Sequence, residues 1–353
     1  MCPSVLKFDA SQQEAICHML DTLESGSRKQ FTLAGLAGSG KTSLIQEVLQ
    51  QSSVTVGVGS LTGKACDVLR RKGISGAQTL HSLLYEFDPE TRTFHPRADL
   101  PYHGVIVDEA SMVNKELHAD LTRHDVSIVW VGDHGQLEPI GESPNLMAKP
   151  DFTLERIYRQ AEGSAILDVA HAFRQGLVPD WKAGKEVARL TNTEAMERIL
   201  DFDVVLCGRN VTRANVNAFI RRKKGYALAV EEGETMVCLR NNRTHGVFNG
   251  MLLKVSKVHR GFGDASFILT LNEVGTDRTI SQVRCRMMNG EEVPFGFDRD
   301  TIALDYGGCL TVSKAQGSEW DRVLVFEERG GWDMRRWRYT AATRAAKFLA
   351  WTR

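Results

Sequence analysis

Residues 35–42 read Gly-Leu-Ala-Gly-Ser-Gly-Lys-Thr, which matches the phosphate-binding pattern G-x-x-x-x-G-K-[ST]. The apolar run 31–34 before this loop predicts a buried strand, and the spacing of residues 44–49 after it predicts a helix. In this context the backbone N–H groups of the loop and of the helix N-terminus point at anionic oxygens. The sequence therefore predicts a nucleoside triphosphate site. The residues expected to line it are Gly35, Gly38, Ser39, Gly40, Lys41, which would reach the β- and γ-phosphates, and Thr42, whose hydroxyl would bind Mg²⁺.

Two acids follow a second apolar run. Residues 105–107 are all aliphatic and lead directly into Asp108 and Glu109, as expected of a parallel strand that delivers both acids to the sheet edge. In P-loop enzymes such an Asp holds Mg²⁺, and a neighbouring carboxylate can polarise the attacking water. An acid pair after a strand is usually only a solvated loop, but downstream of a phosphate-binding loop it indicates hydrolysis of the bound nucleotide.

Composition sets the outer bounds. The chain has 353 residues, of which 42% are hydrophobic and 25% charged, as in a globular protein of two or three domains. A net charge of +0 argues against a protein that passively coats nucleic acid, although it permits a locally cationic groove. The seven cysteines lie apart without a C-x-x-C pair, so neither a disulfide framework nor a zinc site is indicated. With no signal peptide or membrane-spanning run, we expect a cytoplasmic location, in a bacterium or a phage-infected host.

Strand-like and helical segments alternate along most of the chain, which predicts an α/β fold with parallel sheets covered by helices. We expect a first domain over 1–150 and a second over 151–353, with 204–207 as the first strand of the second. The sequence pattern changes over 232–300, where short β-rich stretches are separated by Gly and Asn turns. This pattern predicts an inserted antiparallel barrel. We find no internal sequence repeat.

The order of the motifs resembles that of superfamily 1 helicases, especially the RecD-like and phage Dda-like branch that moves 5′ to 3′. Residues 8–12 resemble the Q motif, in which Gln12 would read adenine. Residues 61–65 and 79–81 resemble motifs that contact single-stranded DNA. Residues 132–137 resemble motif III, in which Gln136 would sense the γ-phosphate. In the second half, residues 154–160, 311–319 and 339–345 resemble the corresponding nucleotide segment and motifs V and VI.

The resemblance implies roles for further residues. Tyr158 would pack on adenine, Arg159 and Arg344 would act as arginine fingers, and Gly317 and Glu319 would lie near the nucleotide. The residues expected to contact single-stranded DNA are Thr62, Lys64, Thr79, His81, Thr311, Ser313 and Lys314. Three positions depart from the family pattern: Ser313 replaces a His, Leu61 replaces a Pro, and Glu138 stands where Pro is common.

The resemblance also implies a fold and a mechanism. We expect two RecA-like domains, with a short hairpin inserted in the first at about 84–103 and an SH3-like barrel in the second. ATP would bind at the cleft between the lobes, and hydrolysis would drive a monomer along single-stranded DNA and through single/double-strand junctions. The absence of large helical insertions favours the 5′-to-3′ branch. An RNA helicase and a nucleotide-switched clamp remain open alternatives, and the sequence does not choose among replication, recombination and repair.

Residues 85–95 predict the hairpin itself. Asp88 and Pro89 suit the first two positions of a type I turn. The related helicases place a strand-separating pin here. An aromatic ring near the tip, Phe94 or Phe87, would stack on a base at the junction, or would instead only pack the hairpin onto the first domain.

Overall fold

The computed structural model describes residues 8–26, 29–61, 63–88, 93–137, 143–156, 164–182, 185–242, 244–247, 249–263, 265–274, 278–291, 293–294 and 296–352. The chain divides into two compact units, Met1–Glu162 and Gly163–Arg353. No helix in the described ranges is both long and apolar enough to cross a membrane.

The first unit is built on one parallel sheet. Its strands lie in the order β3-β2-β6-β7-β1-β8, and every pairing among them is parallel. Its elements are α1 (Ala10–Ser25), β1 (Gln30–Gly35), α2 (Lys41–Gln51), β2 (Val56–Ser60), α3 (Gly63–Arg71), β3 (Gln78–Thr79), α4 (Leu80–Leu84), β4 (Tyr85–Asp88), β5 (Thr93–Pro96), β6 (Gly104–Asp108), α5 (Lys115–Thr122), β7 (Ser127–Gly132) and β8 (Phe152–Leu154).

Both faces of this sheet are buried, as parallel sheets require. One core combines Leu33 of β1 with residues of α1, α2 and α3, such as Ile45 and Leu69. The other combines Trp130 of β7 with residues of α4 and α5, such as Leu83. Because the strands are parallel, their carboxyl ends meet at one edge of the sheet, where the motif-bearing loops begin.

The boundary between the units differs from the expected position after residue 150. Strand β8 pairs in parallel with β1, with Leu33 opposite Phe152, so the first sheet continues past residue 150. The hairpin predicted at residues 85–95 has its two strands, β4 and β5, paired antiparallel with Phe87 opposite Phe94. Its turn, residues 89–92, lies outside the described residues.

The second unit holds a parallel sheet and a barrel. The sheet order is β16-β10-β17-β18-β9, and the closed barrel comprises β11 to β15. Its elements are α6 (Ala165–Gln175), β9 (Val187–Leu190), α7 (Asn192–Glu197), β10 (Val204–Cys207), α8 (Asn210–Lys223), β11 (Thr235–Cys238), β12 (Leu252–Phe262), β13 (Ser266–Glu273), β14 (Thr279–Met287), β15 (Thr301–Tyr306), β16 (Cys309–Thr311), α9 (Val312–Ala315), β17 (Trp320–Val325), α10 (Met334–Ala342) and β18 (Ala345–Thr352).

Two expectations for this unit were wrong in detail. The first strand of its sheet is β9, which precedes β10 and pairs with β18 at the sheet edge. This strand is short and partly exposed, so it lacks the continuous apolar run of a central parallel strand. The barrel is not wholly antiparallel, because β14 and β15 pair in parallel after the connection over 288–300.

The two sheets share one topology. Numbering the sheet strands of each unit in chain order gives the order 3-2-4-5-1 in both, and the first unit adds β8 beside strand 1. This repetition is structural, since the sequence shows no repeat. It makes β3 and β16 topological equivalents, and likewise β2 and β10.

Candidate nucleotide and nucleic-acid site

The phosphate-binding loop connects β1 to α2 as the sequence predicts. Gly38 and Gly40 have φ values of 85° and 86°, in the left-handed region that glycine adopts without strain. At Gly35 a Cβ atom would lie 2.4 Å from the Oγ of Ser39, so the loop also needs glycine for space. The glycines thus allow the backbone to curl around the helix N-terminus.

Lys41 is the first residue of α2 and folds back over the loop. Its Nζ donates to the carbonyl oxygens of Gly35, at 2.7 Å, and of Leu36, at 2.9 Å. These hydrogen bonds hold the ammonium group over the loop. The oxygens of a bound phosphate would compete with the two carbonyl oxygens for the ammonium group. The ammonium therefore lies over the loop, and its contact with nucleotide phosphates stays a prediction.

Gln12 reaches the same loop from α1. Asp9 caps α1 by accepting from the Gln12 backbone N–H at 2.8 Å, and the Gln12 side chain completes the capping box. The Nε2 of Gln12 also donates to the carbonyl oxygen of Ser39 at 3.4 Å. A Cβ at Gly40 would lie 2.8 Å from that nitrogen. The Gln12 side chain therefore packs against the phosphate-binding loop, while its contact with adenine stays a prediction.

The two acids lie at the carboxyl end of β6. Asp108 ends the strand, and Glu109 follows with φ 56°, an unusual conformation for a residue with a side chain. Burial raises the pKa of the Asp108 carboxyl, and the positive charge of Lys41 partly offsets this rise. The carboxyl thus lies within the electrostatic influence of Lys41, and its contact with Mg²⁺ stays a prediction.

Gln136 follows β7, the strand between β6 and β1. Its side chain is almost fully buried, and Nε2 donates weakly to the Oδ2 of Asp133 at 3.5 Å. Asp133 in turn accepts from the backbone N–H of Gly135 at 2.8 Å through Oδ1. The sequence reading did not give Asp133 a role, yet this buried carboxylate fixes the turn that carries Gln136.

Several buried polar atoms at this edge of the first sheet have no hydrogen-bond partner within the part of the chain that the structure describes. Buried polar groups are normally paired, so such a concentration indicates a surface built for a polar ligand. These atoms are the Oγ of Ser39, Ser60 and Ser111 and the Oε1 of Gln136. Ser60 lies opposite Asp108 in the register of β2 and β6.

The residues predicted to contact DNA in the first unit are only partly described. Thr79 accepts from the backbone N–H of Ser82 at 3.1 Å and so caps α4. His81 is exposed, and its ring stacks on that of Tyr85 with centroids 5.9 Å apart. Thr62 and the side chains of Lys64 and Phe94 lie outside the described set.

The corresponding residues of the second unit follow β16. Thr311 accepts from the backbone N–H of Lys314 at 3.4 Å and caps α9, while Ser313 and Lys314 are exposed. Thr79 and Thr311 therefore cap the helices after equivalent strands, with φ and ψ of −70° and 148° at Thr79 and −74° and 150° at Thr311. The sequence reading named both threonines but missed this equivalence, because it depends on strand order.

Arg344 is buried within the second unit. Its guanidinium donates to the carbonyl oxygens of Thr340 and Ser318 and to the Oγ1 of Thr343, at 3.0, 3.1 and 3.0 Å. Gly317 adopts φ 71° beside Ser318, and Glu319 is exposed. Tyr158 and Arg159 lie outside the described residues.

Glu328, to which the sequence analysis gave no role, caps the N-terminus of another helix. Glu328 accepts from the backbone N–H groups of Gly208 and Arg209, at 2.6 and 2.9 Å, and from the Thr212 hydroxyl at 2.6 Å. These contacts place a carboxylate at the N-terminus of α8, the counterpart of α3 in the first unit. No local motif marks Glu328, because its partners lie far away in sequence.

The fold and this site define a P-loop protein with two RecA-like units, as the sequence predicted. Residues 7–199 match the AAA domain family, and residues 306–350 match the UvrD-like helicase C-terminal domain. The chain belongs to the AAA domain family. The match of its last part to the UvrD-like helicase C-terminal domain supports the resemblance to superfamily 1 helicases that the sequence motifs indicate.

Two curated relatives illustrate the likeness. The ATP-dependent RecD2 DNA helicase of Deinococcus radiodurans is 26% identical over 97% of this chain and 49% of its own length. A probable conjugal transfer protein TraA of Sinorhizobium fredii is 27% identical over 90% of this chain and 30% of its own length. The chain thus spans half or less of the length of these relatives.

Solved structures support the fold. The Pif1 helicase from Bacteroides, in complex with ADP-AlF3 and ssDNA, superposes with a TM-score of 0.65 at 17% identity, covering 98% of this chain and 92% of that one. The Pif1 helicase from Candida albicans gives a TM-score of 0.59 at 17% identity, covering 99% and 94%.

Proposed function

We propose that the chain is an ATP-dependent DNA helicase or translocase that moves along single-stranded DNA from 5′ to 3′ and unwinds duplexes. One observation carries the proposal: the carboxyl edge of the first sheet brings together the phosphate-binding loop, the acids after β6 and Gln136 after β7. The same edge continues to Thr79 at β3. Residues suited to nucleotide hydrolysis and residues suited to a nucleic-acid strand therefore share one edge.

The role of each nucleotide-site residue follows from its chemistry. Lys41 supplies a positive charge to the β- and γ-phosphates, since its ammonium already lies over the loop. Glu109 orients the attacking water as its base, and Gln136 contacts the γ-phosphate. Arg344 and Arg159 supply positive charge to the transferring phosphoryl group, as arginine fingers do. Tyr158, Gly317 and Glu319 complete the nucleotide contacts that the family resemblance implies.

The residues present fit Mg²⁺. Magnesium prefers oxygen ligands and is usually held by one or two carboxylates together with substrate phosphates. Asp108 and Thr42 would hold it here. The buried Oγ of Ser60, which lies opposite Asp108 and has no hydrogen-bond partner within the described residues, is the observation that favours a polar ligand at this place. When bound, the ion neutralises charge that develops on the phosphate oxygens.

The strand contacts repeat between the units. Thr79 and Thr311 each cap a helix after equivalent strands, so a phosphate near either helix would meet a hydroxyl and backbone N–H groups. Lys64, Lys314, Thr62, Ser313 and His81 add the other contacts. We infer single-stranded DNA as the partner because the RecD2 relative is a DNA helicase and the Pif1 helicase structure is a complex with ssDNA.

The deciding experiment measures ATP hydrolysis with and without oligonucleotides and then unwinding of tailed duplexes. We expect hydrolysis stimulated by single-stranded DNA more than by RNA of the same sequence, and unwinding of a duplex with a 5′ tail but not one with a 3′ tail. Lys41→Ala should abolish hydrolysis while the protein still unfolds cooperatively. Stimulation by RNA alone would reject DNA as the substrate. Binding of single strands that depends on the nucleotide but does not stimulate hydrolysis would indicate a clamp.

A further inference from the structure

The hairpin of β4 and β5 stands apart from the parallel sheet of the first unit. Among the described residues, its two strands pair only with each other and form a separate two-stranded sheet. A two-stranded hairpin alone is marginally stable, so its direction depends on contacts at its base. That base lies at Tyr85, where β4 follows α4 with no residue between them. The contacts of Tyr85 are therefore well placed to fix the hairpin on the first unit.

The side chain of Tyr85 binds a carboxylate on α5. Its hydroxyl donates to the Oδ2 of Asp120, on a helix that shares one hydrophobic core with α4. The Asp120 side chain is 21% exposed, so water competes only partly for this hydrogen bond. Burial and the hydrogen bond to Asp120 raise the pKa of Tyr85 to about 12, so the phenol stays protonated and donates. The Tyr85 ring packs against the same core, which contains Leu83 and Trp130. Tyr85 is thus held at both its ring and its hydroxyl.

Two further contacts at the hairpin base are local or exposed. The backbone N–H of Arg97 donates to the carbonyl oxygen of Leu84 at 2.8 Å, which continues the antiparallel pairing by one step. The side chains of Glu86 and Arg97 form an ion pair at 3.3 Å, but they are 70% and 38% exposed. Ion pairs this exposed to water contribute little. The hydrogen bond between Tyr85 and Asp120, by contrast, ties the hairpin to a separate helix.

Tyr85 also contacts the helix that carries two of the proposed strand contacts. Its backbone N–H donates to the carbonyl oxygen of His81 at the end of α4, and its ring stacks on the His81 ring with centroids 5.9 Å apart. Thr79 caps the other end of α4. This helix has five residues and is therefore about 7.5 Å long. One short helix thus separates the Thr79 cap from the base of the hairpin, and Tyr85 contacts both that helix and α5.

We propose that Tyr85 is a positioning residue for duplex unwinding: held by Asp120, it fixes the direction of the hairpin relative to the strand contacts of α4. A hairpin that pivots at its base yields when the end of a duplex presses on it. A hairpin with a fixed base resists that pressure, so movement of the gripped strand separates the duplex. Tyr85 acts through the hairpin and takes no part in ATP hydrolysis. The proposal rests on the proposed function, because unwinding is the step that it serves.

The test uses Tyr85→Phe, which removes only the hydroxyl, and Asp120→Asn, which removes the charge of the acceptor. In both variants unwinding of a tailed duplex should slow about tenfold, the factor by which a hydrogen bond to a charged group shifts an equilibrium. The ATPase rate stimulated by single-stranded DNA should not change. Hydrogen exchange of the amides in β4 and β5 should become about tenfold faster, while exchange in α2 stays the same. The double variant should be no worse than either single variant, because both changes remove one contact.

The matched control is Glu86→Gln, which removes the charge of the exposed ion pair from the residue next to Tyr85. This control should match the wild type in all three measurements. A Tyr85→Phe variant that unwinds as fast as the control would overturn the proposal. Equal losses of ATPase and unwinding would also overturn it, because Tyr85 would then only stabilise the first unit. If the wild type neither responds to DNA nor unwinds duplexes, the proposed function fails. Faster exchange in the hairpin of Tyr85→Phe, but not of the control, would then still show that Tyr85 holds the hairpin.

Discussion

Arg344 donates from Nη1 to the carbonyl oxygen of Ser318 at 3.1 Å, so the end of α10 is tied to the loop that follows α9. Arg344 is only 5% exposed, and all three hydrogen bonds recorded for its side chain go to neutral oxygens. The residue expected to act as an arginine finger therefore also stabilises its own unit through these hydrogen bonds. The proposed arginine-finger role and the observed structural role predict two separable losses.

Arg344→Ala should lower both stability and turnover. Removing the guanidinium leaves buried carbonyl oxygens without a donor, which costs about 1 to 3 kcal/mol of unfolding free energy. Loss of an arginine finger should reduce DNA-stimulated turnover by about 10³-fold or more. Urea unfolding and steady-state ATPase assays measure the two effects. Arg344→Lys keeps the charge and should restore part of the stability.

Arg338 offers the control, because it lies on α10, the helix that ends just before Arg344, and donates to Glu327. Arg338→Ala should lower stability without lowering turnover per folded molecule. If Arg344→Ala hydrolyses ATP at the wild-type rate, Arg344 has a structural role only.

Glu109 allows catalysis to be separated from folding. Its φ of 56° costs energy for any residue except glycine, so Glu109→Gly removes the carboxylate and relieves the backbone at once. We expect this variant to lose turnover while its melting temperature stays equal or rises. Glu109→Gln should also lose turnover but keep ATP affinity, as measured with a fluorescent nucleotide. Parental hydrolysis by Glu109→Gln would show that another group activates the water.

The sequence predicts local features of this fold better than long-range ones. The phosphate-binding loop was predictable because its strand, glycines and helix are adjacent along the chain. Strand β9 was missed because its partner β18 lies more than half the length of the second unit away along the chain, and nothing local marks an edge strand. The parallel pairing of β14 and β15 likewise depends on the direction in which the connection over 288–300 leads the chain back to the barrel, which no local pattern predicts.

The same distinction applies to the site. Thr79 and Thr311 were found by motif, but their equivalence required the strand order of both sheets. Glu328 was missed because its partners Gly208 and Arg209 are distant in sequence. Local sequence patterns therefore predict which residue types could act in the site, whereas the topology shows which of those residues occupy equivalent or neighbouring positions.

The hairpin of β4 and β5 should couple hydrolysis to strand separation. Phe94 lies opposite Phe87 in the register, near the turn over 89–92. Phe94→Ala should leave DNA-stimulated ATP hydrolysis near the wild-type rate and impair unwinding of a tailed duplex, because loss of one stacked base costs about 1 to 3 kcal/mol. Phe87→Ala is the matched variant on the facing strand. Parallel loss of both activities would make the hairpin structural, and no loss would place the pin elsewhere.

Glu234 predicts how stability depends on pH. Its carboxylate lies 2.8 Å from the Nε of Arg221, and its side chain is 4% exposed. Burial raises the pKa of Glu234 to about 7 from the ordinary 4.5, and the positive charge of Arg221 only partly offsets this. Between these two pKa values the folded protein binds more protons than the unfolded chain. The contribution of Glu234 to stability is therefore fully present below pH 4.5 and is lost as the pH rises to about 7.

Glu234→Gln keeps the shape of the side chain and removes its titration. The wild type should therefore lose stability relative to Glu234→Gln when the pH rises from about 5 to about 8 in urea-unfolding experiments. Glu231 is the matched control, because hydrogen bonds from the backbone of Leu228 and Ala227 lower the pKa of its carboxyl. The contribution of Glu231 should instead be lost as the pH falls below its ordinary range. If the wild type gains stability over Glu234→Gln as the pH rises, the attraction between Glu234 and Arg221 outweighs the cost of burying the charge, and the predicted sign is wrong.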